Sequence, residues 1–209
     1  MKAPCGVILA GGLSSRMGGG DKALLDLNGS SILSLVIARL KPQVGAVVLN
    51  ANGDPARFSG YALPVVPDSI EGYAGPLAGV LAGLDWAAAH GFDEIVTAAA
   101  DTPFFPVDLA QHLRMAAARE HTPIALAATP GPGGRTHRHP TFGLWPVALR
   151  QDLRAALDAG VRKVVQWTDP HGAAMALFEP GADASEPFFN VNTPEELEIA
   201  RRRLAGMHG

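Results

Sequence analysis

The chain has 209 residues, of which 47% are hydrophobic, and this size suits one α/β domain over residues 1–209. A net charge of -3 and a pI near 6.1 exclude a broad basic face for nucleic acid, so any positive charge that binds a ligand must be confined to a local site. The single cysteine, Cys5, excludes an internal disulfide framework and a cysteine-based zinc site. Because no run approaches the roughly 20 apolar residues of a membrane span, and the N-terminus lacks a signal-peptide core, we expect a soluble, cytoplasmic protein that does not act on membranes.

Hydrophobic periodicity predicts strands that alternate with helices along most of the chain. In chain order we expect a strand at 5–10, a helix at 32–40, strands at 46–51 and 63–66, a helix at 76–90, a strand at 94–100, a helix from 106, a strand at 124–128, an antiparallel strand at 140–145, helices at 148–158 and 161–167, a strand at 174–178 and a final helix from 194. This alternation favours a Rossmann-like, three-layer α/β fold, with a mainly parallel sheet and helices on both faces.

Several helix starts carry local signals. A serine at position 30 or 31 is expected to cap the first helix, and Pro76 to occupy the first position of the second. The helix from Pro106 is expected to hold Asp108 in its first turn. Residues 193–196 read Thr-Pro-Glu-Glu, a capping box that predicts the last helix.

In parallel α/β sheets, ligands bind beyond the carboxyl ends of the strands. The glycine-rich loop after the first strand, Asn50 to Asn52, Asp68 and Asp101 each follow a predicted strand. We therefore expect these residues to lie along one edge of the sheet and to contribute to a single site.

The loop over residues 11–22 contains five glycines and two cations, Arg16 and Lys22. It is not a Walker A loop, because Lys22 lies between Asp21 and Ala23, and it contains no strict G-x-G-x-x-G. Backbone N–H groups freed by glycine, together with two cations, suit an extended triphosphate. The alternatives are a mobile surface loop, and an Arg16 that pairs with Asp21.

The chain resembles a known family across nearly its whole length. Residues 9–22 read Leu-Ala-Gly-Gly-Leu-Ser-Ser-Arg-Met-Gly-Gly-Gly-Asp-Lys, which is similar to the signature of nucleotidyltransferases, in particular the molybdenum cofactor guanylyltransferases. Further matching segments follow in the same order at residues 50–52, 68–79, 101–104, 139–145 and 190–197. One departure is at residues 29–32, where the family usually has Gly-x-Pro-Leu.

The resemblance implies transfer of GMP from GTP to the terminal phosphate of molybdopterin, with or without molybdenum, and release of pyrophosphate. It also implies transient contacts with other proteins that assemble this cofactor. Two rivals of the same fold are a molybdopterin cytidylyltransferase and a sugar-phosphate nucleotidyltransferase. A rival of another class is a non-catalytic carrier of the pterin cofactor.

The resemblance also assigns the phosphate and metal residues. Arg16 and Lys22 would hold the triphosphate and stabilise the leaving pyrophosphate. Asp101 would bind Mg²⁺, which typically takes one or two carboxylates together with phosphate oxygens and water. The alternative for Asp101 is to cap the turn before Pro103.

For the nucleoside, the resemblance implies that Asn50 and Asp68 contact the guanosine; Asp68 could otherwise be a turn residue. Main-chain contacts to the base are implied for Leu9, Ala10, Gly11 and Gly12. Gly11 favours guanine, because the related cytidylyltransferases usually read Leu-Ala-Ala-Gly at these positions.

For the acceptor, the resemblance implies contacts from Gly75, Gly79, Asn190 and Asn192, and the positive charge of Arg138 adds a candidate that would attract the acceptor phosphate. Each has an alternative. The glycines, spaced four apart with Gly83, would let the helix pack closely on the sheet, Arg138 would lie with its two histidine neighbours in an exposed loop, and the asparagines would be turn residues before the last helix.

Overall fold

The computed structural model describes residues 2–11, 21–70, 72, 75–181 and 186–206. In chain order its strands are β1 Cys5–Leu9, β2 Asp26–Leu27, β3 Ser30–Ser31, β4 Ala46–Asn50, β5 Val65–Val66, β6 Glu94–Ala99, β7 Ala125–Pro130, β8 Thr136–Pro146 and β9 Ala174–Leu177. Its helices are α1 Ile32–Leu40, α2 Pro76–Ala89, α3 Leu109–Glu120, α4 Arg150–Asp158, α5 Val164–Thr168 and α6 Pro194–Gly206.

Seven strands form one sheet in the order β5-β4-β1-β6-β8-β7-β9. The first four of these are parallel neighbours, β8 runs antiparallel to both β6 and β7, and β9 is parallel to β7. In this register Leu9 lies opposite Asn50 on β4 and opposite Ala99 on β6. The carboxyl ends of the central strands are therefore level, which brings the residues that follow them together.

The sheet is buried on both faces, as the apolar strands predict. Val7 and Ile8 are adjacent on β1 and fully buried, yet they belong to separate core clusters on opposite faces. Helices α1 and α3 cover the face of Ile8, and α2, α4 and α5 cover the face of Val7. Burying each such aliphatic side chain contributes about 1.5–3 kcal/mol, so the two layers account for much of the stability of the fold. The predicted three-layer architecture is confirmed.

A smaller apolar cluster lies where the chain ends. Leu27 of the short β2–β3 hairpin, Phe104 and Val191 pack with Leu197 and Ala200 of α6. The capping box predicted at the start of α6 is present, because the Glu196 N–H donates to Thr193 Oγ1 at 3.2 Å and the Thr193 N–H donates to Glu196 Oε2 at 2.9 Å. These contacts fix residues 190–193 against the segment that follows β6.

The pairing of strand β8 with β7 shifts in register. Leu126 of β7 pairs with Gly143, whereas the next residue, Ala127, pairs with His139. Residues 140–142 are therefore extra on β8 and form a bulge, and β8 pairs with β6 only at Glu94–Val96, with the last strand residues of β8. The carboxyl half of β6 is left without β8 as a partner, which opens the sheet beside it.

Two local predictions need correction, and one element was not predicted. Helix α3 begins at Leu109 rather than at Pro106, and Asp108 is its N-cap and makes no side-chain capping bond. Residues 137–139 do not form an exposed loop, because they belong to β8, where His139 is buried. The β2–β3 hairpin was not predicted. The remaining predicted strands and helices occur within a few residues of their expected bounds, with Ser31 as the N-cap of α1.

No helix in the described ranges has the length and apolar character that crossing a membrane requires.

Candidate active site

A cavity of about 260 Å³ opens at the carboxyl edge of the parallel strands. Its wall is formed by Leu9, Gly11, Asn50, Asp68, Gly75, Pro76, Ala99, Asp101, Thr141 and Asn190. The chain thus gathers residues from the ends of β1, β4, β5 and β6, as the edge rule predicts. The start of α2 also reaches the cavity, and its free N–H groups and dipole favour an anionic ligand there.

Asp68 is held by two asparagines at one end of this cavity. Asn50 Nδ2 donates to Asp68 Oδ1 at 2.9 Å, and Asn52 Nδ2 donates to Asp68 Oδ2 at 2.8 Å. The Asp68 N–H in turn donates to Asn52 Oδ1 at 2.9 Å. With both of its oxygens and its main chain engaged, the carboxylate has a fixed orientation before any ligand binds.

Asn50 is itself confined by its neighbours. It is 2% exposed, and its Nδ2 also donates to the main-chain oxygen of Val66 at 3.3 Å. On the other side lies Gly79 of α2, where a Cβ atom would approach Asn50 Oδ1 to 2.3 Å and Leu9 Cδ2 to 2.9 Å. Gly79 is therefore required for the close packing of α2 on the sheet, which confirms the packing interpretation of the glycine stripe.

An ion pair connects this end of the cavity with the end of the glycine-rich loop. Arg57 Nε lies 3.0 Å from Asp21 Oδ2, and another guanidinium nitrogen donates to the main-chain oxygen of Asn52. Asp21 immediately precedes Lys22, so Arg57 joins the segment that carries Lys22 to the residue that holds Asp68.

Asp101 lies at the other end of the cavity, after β6. Burial raises the pKa of its carboxyl group above the usual range, and the negative charge of Glu196 adds to this. A hydrogen bond from Thr102 and the positive charge of Lys22 oppose the rise. An ionised Asp101 is therefore held at an electrostatic cost that a bound cation would offset.

Asp101 is connected to the segment before α6. Thr102 Oγ1 lies 3.1 Å from Asp101 Oδ1 and 2.5 Å from Asn190 Oδ1, and the Val191 N–H donates to the main-chain oxygen of Asp101 at 2.8 Å. These contacts join two segments that are 88 residues apart along the chain.

Lys22 lies beside the same segment. Its Nζ donates to Asn192 Oδ1 at 3.3 Å, and the Asn192 N–H donates to Glu196 Oε2 at 2.6 Å. Asn190 and Asn192 are thus placed next to Asp101 and Lys22, respectively. Both lie in an irregular segment that leads into the capped helix, and neither is in a turn, so the alternative interpretation as turn residues is not confirmed.

The other sequence-predicted residues are placed less directly. Ala10 donates its N–H to the main-chain oxygen of Asn50 at 2.9 Å, while Arg138 forms an ion pair with Asp169 at 2.6 Å and does not line the cavity. Gly12 and Arg16 lie outside the described residues. Asp21, which the sequence offered as a partner for Arg16, is paired with Arg57.

Sequence reasoning did not select Thr141, Pro76 or Ala99 as site residues, although all three line the cavity. It included Asn52 at the edge without giving it a contact, and it did not select Thr102; these two side chains donate to the carboxylates of Asp68 and Asp101, respectively. Asn52 and Thr102 do lie inside the matched segments 50–52 and 101–104, and this position was the available signal.

The donor set suits a magnesium–nucleotide complex better than a metal held by the protein alone. Among the residues that the structure describes, no three His, Cys, Asp or Glu side chains converge as a metal site. Asp101 offers one carboxylate, and the amide group of Asn190 lies beside it on the cavity wall. Mg²⁺ commonly binds one or two carboxylates and completes its shell with phosphate oxygens and water, so these residues fit it.

Comparison of the chain with known proteins gives consistent matches. A family model described as the MobA-like NTP transferase domain matches residues 6–173. A molybdenum cofactor guanylyltransferase from Bradyrhizobium sp. (strain ORS 278) is 50% identical over 203 residues, covering 96% of this chain and 92% of that protein. A protein of the same name from Cereibacter sphaeroides is 50% identical over 199 residues, covering 95% of this chain and 96% of that protein.

Solved structures share the fold at low sequence identity. Molybdopterin-guanine dinucleotide biosynthesis protein A from Archaeoglobus fulgidus has a TM-score of 0.72 at 21% identity, with 97% of this chain and 100% of that chain covered. A 4-diphosphocytidyl-2C-methyl-D-erythritolsynthase from Anaerococcus prevotii has a TM-score of 0.73 at 14% identity, with 98% and 96% covered. These likenesses support the α/β architecture described above.

Proposed function

This chain belongs to the MobA-like NTP transferase family, and on that premise we propose that it transfers GMP from GTP to the terminal phosphate of molybdopterin. The products are pyrophosphate and molybdopterin guanine dinucleotide. Guanylyltransferases that are 50% identical over almost the whole chain support this activity. The observation that carries the assignment of the site is the cavity at the carboxyl edge, which has Asp68 at one end and Asp101 at the other.

The guanine base binds at the Asp68 end. Guanine presents N1–H and N2–H₂ as donors on one edge, and a fixed carboxylate is a suitable acceptor for them. Asn50 and Asn52 orient the Asp68 carboxylate, and the main chain at Leu9 to Gly12 supplies the remaining contacts. Gly11 lines the cavity, so a side chain there would reduce the room for the exocyclic amine.

The triphosphate extends from the base toward Asp101. Lys22 and Arg16 bind its phosphates and stabilise the charge that develops on pyrophosphate as it leaves. The hydrogen bond from Lys22 to Asn192 supports this orientation of the ammonium group. The ion pair between Asp21 and Arg57 further holds the segment that carries Lys22.

Mg²⁺ is the proposed metal, and Asp101 would hold it. A bound Mg²⁺ supplies positive charge between the phosphates of the two substrates. The need for this charge is large, because two unit charges 4 Å apart repel by about 1 kcal/mol in water and about 4 kcal/mol at an effective dielectric constant near 20.

The reaction itself requires no nucleophilic side chain. An oxygen of the acceptor phosphate forms a bond to the α-phosphorus of GTP, the bond from this phosphorus to the bridging oxygen breaks, and that oxygen leaves as part of pyrophosphate. The residues of the site act by neutralising charge and by aligning the two substrates.

The acceptor binds beside Asp101. Asn190, at the cavity wall, and Asn192, beside Lys22, are the residues best placed to contact its phosphate. The N-terminus of α2 at Gly75 also lines the cavity and adds free N–H groups, while Gly79 contributes by letting α2 pack closely. Arg138 would have to leave Asp169 to reach the acceptor. Transient contacts with other assembly proteins of this cofactor would bring the acceptor to the site.

The central experiment measures pyrophosphate release with GTP, Mg²⁺ and molybdopterin. Asp101→Ala is expected to lower the rate by about 100-fold or more, because losing a metal contact costs several kcal/mol. Asp158→Ala, at the end of α4 and exposed, is the matched control and should retain the parent rate. A rate for Asp101→Ala within about threefold of the parent would contradict the metal assignment.

Nucleotide selectivity is tested separately by thermal unfolding with GTP, CTP, UTP or ATP in the presence of Mg²⁺. GTP is expected to raise the unfolding temperature most. A clear preference for CTP would instead identify a cytidylyltransferase, and acceptor binding without turnover of GTP would identify a carrier.

A further inference from the structure

Thr102 lies behind the Asp101 end of the cavity without forming part of its wall. Its side chain is fully buried, and its hydroxyl oxygen lies 3.1 Å from Asp101 Oδ1 and 2.5 Å from Asn190 Oδ1. Both of these residues line the cavity. One hydroxyl group therefore contacts the two side chains that form this end of the site.

The proton count of this hydroxyl constrains the arrangement. A threonine hydroxyl has one proton to donate, whereas an ionised carboxylate can only accept. The single hydroxyl proton is therefore shared between Asp101 Oδ1 and Asn190 Oδ1, and the shorter contact, at 2.5 Å, is to the amide oxygen of Asn190. Because this oxygen faces Thr102, the amide NH₂ of Asn190 turns away from Thr102, toward the cavity that Asn190 lines.

We propose that Thr102 is a positioning residue, which holds Asp101 and Asn190 so that a carboxylate oxygen of Asp101 and the amide NH₂ of Asn190 face the cavity together. The proposal rests on the metal-binding role of Asp101 proposed above. A carboxylate oxygen suits a hard divalent cation, and an amide NH₂ beside it suits an oxygen of a phosphate that the cation accompanies. Thr102 thus determines which end of the Asn190 amide the substrates meet.

The surroundings make Thr102 suited to this role. As a β-branched residue it has a restricted χ1 angle, so its hydroxyl direction is fixed by the main chain. The main-chain bond from Val191 to Asp101 at 2.8 Å keeps the spacing of the two segments. Serine keeps the hydroxyl with a freer χ1 angle, whereas valine keeps the shape and removes the hydroxyl.

The test compares Thr102→Val with Thr102→Ser in the full chain. For Thr102→Val we expect kcat for pyrophosphate release to fall by about 10- to 100-fold, because small displacements of catalytic groups reduce rates on this scale. The KM for GTP should stay within about threefold, since Asn50 and Asp68 are unaffected. Thr102→Ser should restore kcat to within about threefold of the parent.

A second readout is independent of turnover. Binding of Mn²⁺ to the enzyme–GTP complex without acceptor, followed by electron paramagnetic resonance, should weaken about tenfold or more in Thr102→Val and should be restored in Thr102→Ser. Thr168→Val is the matched control, because Thr168 is fully buried and its hydroxyl makes no hydrogen bond with the described residues. This control should retain both kcat and Mn²⁺ affinity.

Several results would overturn the proposal. These are a Thr102→Val enzyme with parent kcat and Mn²⁺ affinity, equal losses in the valine and serine variants, a loss in KM for GTP rather than in kcat, or an equal loss in Thr168→Val. If Thr102→Val does not fold, Thr102→Cys replaces it with the same expectations. If Asp101→Ala also leaves the rate unchanged, the proposed function fails. If only Thr102→Val retains the parent kcat and Mn²⁺ affinity, the positioning role alone fails.

Discussion

Asp68 and Asp101 each follow a strand of the same parallel sheet, yet the chain holds the two carboxylates in opposite ways. Asp68 accepts hydrogen bonds from the amide groups of Asn50 and Asn52, one on each oxygen. At Asp101 burial raises the pKa of the carboxyl group, and the side-chain hydrogen bond to it comes from the Thr102 hydroxyl. The protein donates a hydrogen bond to each oxygen of Asp68, whereas burial leaves the negative charge of Asp101 poorly compensated.

The difference matches the two kinds of ligand that we propose for the two ends of the cavity, a base at Asp68 and a cation at Asp101. A base is selected by the direction of its hydrogen bonds, so its acceptor must be oriented before binding, which lowers the cost of ordering on association. A cation is attracted by unscreened charge, so its ligand is most effective where burial keeps other partners away. On this proposal both ends of the cavity use an aspartate, Asp68 for the direction of its hydrogen bonds and Asp101 for its charge.

Replacing each aspartate by asparagine should change the stability of the protein differently at the two positions. The largest loss of catalysis is expected at Asp101. Asp101→Asn removes a buried charge, so the free energy of unfolding should stay constant or rise while kcat falls by about 100-fold or more. Asp68→Asn should lower the free energy of unfolding by about 1 kcal/mol, because its new NH₂ would face an amide donor of Asn50 or Asn52. Urea unfolding and pyrophosphate release measure both. Equal stability losses at the two positions would show that the carboxylates are held alike.

The proposed base end can be altered indirectly, through the packing of α2 against Asn50. Gly79→Ala should raise the KM for GTP by about 10-fold or more, because its Cβ would displace Asn50 Oδ1, which lies 2.3 Å away. The control is Gly83→Ala, whose Cβ would approach Val7 Cγ2 to 2.6 Å within the core. It should lower stability by about 1–3 kcal/mol and leave the KM for GTP of the folded enzyme unchanged. A rise in KM that is equal in the two variants would argue against a specific role for Gly79.

A milder disturbance is to remove one of the two amides that hold Asp68. Asn52→Ala should raise the KM for GTP by about 3- to 10-fold and leave kcat within about threefold, since Asp101 is untouched. Asn52→Asp sets a second carboxylate against Asp68 and should raise the KM further. Steady-state kinetics at varied GTP distinguish these outcomes. A change in kcat without a change in KM would contradict the division of the cavity into two ends.

The smallest effect on catalysis is expected at His139, a titratable residue that is buried in β8. Burial, with the nearby His137, lowers the pKa of His139 to about 4, from an ordinary value of 6.5. Between these pH values the unfolded chain binds a proton that the folded chain does not, so the free energy of unfolding should decrease as pH falls from about 6.5 to about 4, by up to about 3 kcal/mol. His139→Gln should remove this part of the pH dependence and keep kcat near the parent value. Urea unfolding at several pH values is the measurement, and an unchanged slope in His139→Gln would contradict it.

Much of the fold and the outline of the site could be predicted from local patterns. Apolar runs and helical spacing identified the layers, and the edge rule was sufficient to bring Asn50, Asp68 and Asp101 to one cavity. The two-residue strands β2 and β3 are too short to show a period of two, so the hairpin was missed. The histidine-rich stretch at 137–139 looked like a loop because its polarity does not show that β7 pairs with it.

The finer parts of the site depend on contacts between distant segments. Asn52 meets Asp68 only after β5 has joined the sheet, and Thr102 meets Asn190 only when the segment before α6 has docked. Residue type and spacing do not encode such pairs. The sequence predicted that Lys22 lies near the site, but only the tertiary structure shows that its ammonium group donates to Asn192.

The bulge at residues 140–142 of β8 separates two parts of the site that can change independently. It carries Thr141 to the cavity beside the open half of β6, whereas the base end is built on β1, β4 and β5. Lengthening or shortening the bulge would resize the cavity beside β6, where we propose that the acceptor binds, and leave the proposed nucleotide side in place. In evolutionary terms, one sheet could keep its donor nucleotide while its relatives adopt acceptors of different size, with the variation confined to one strand.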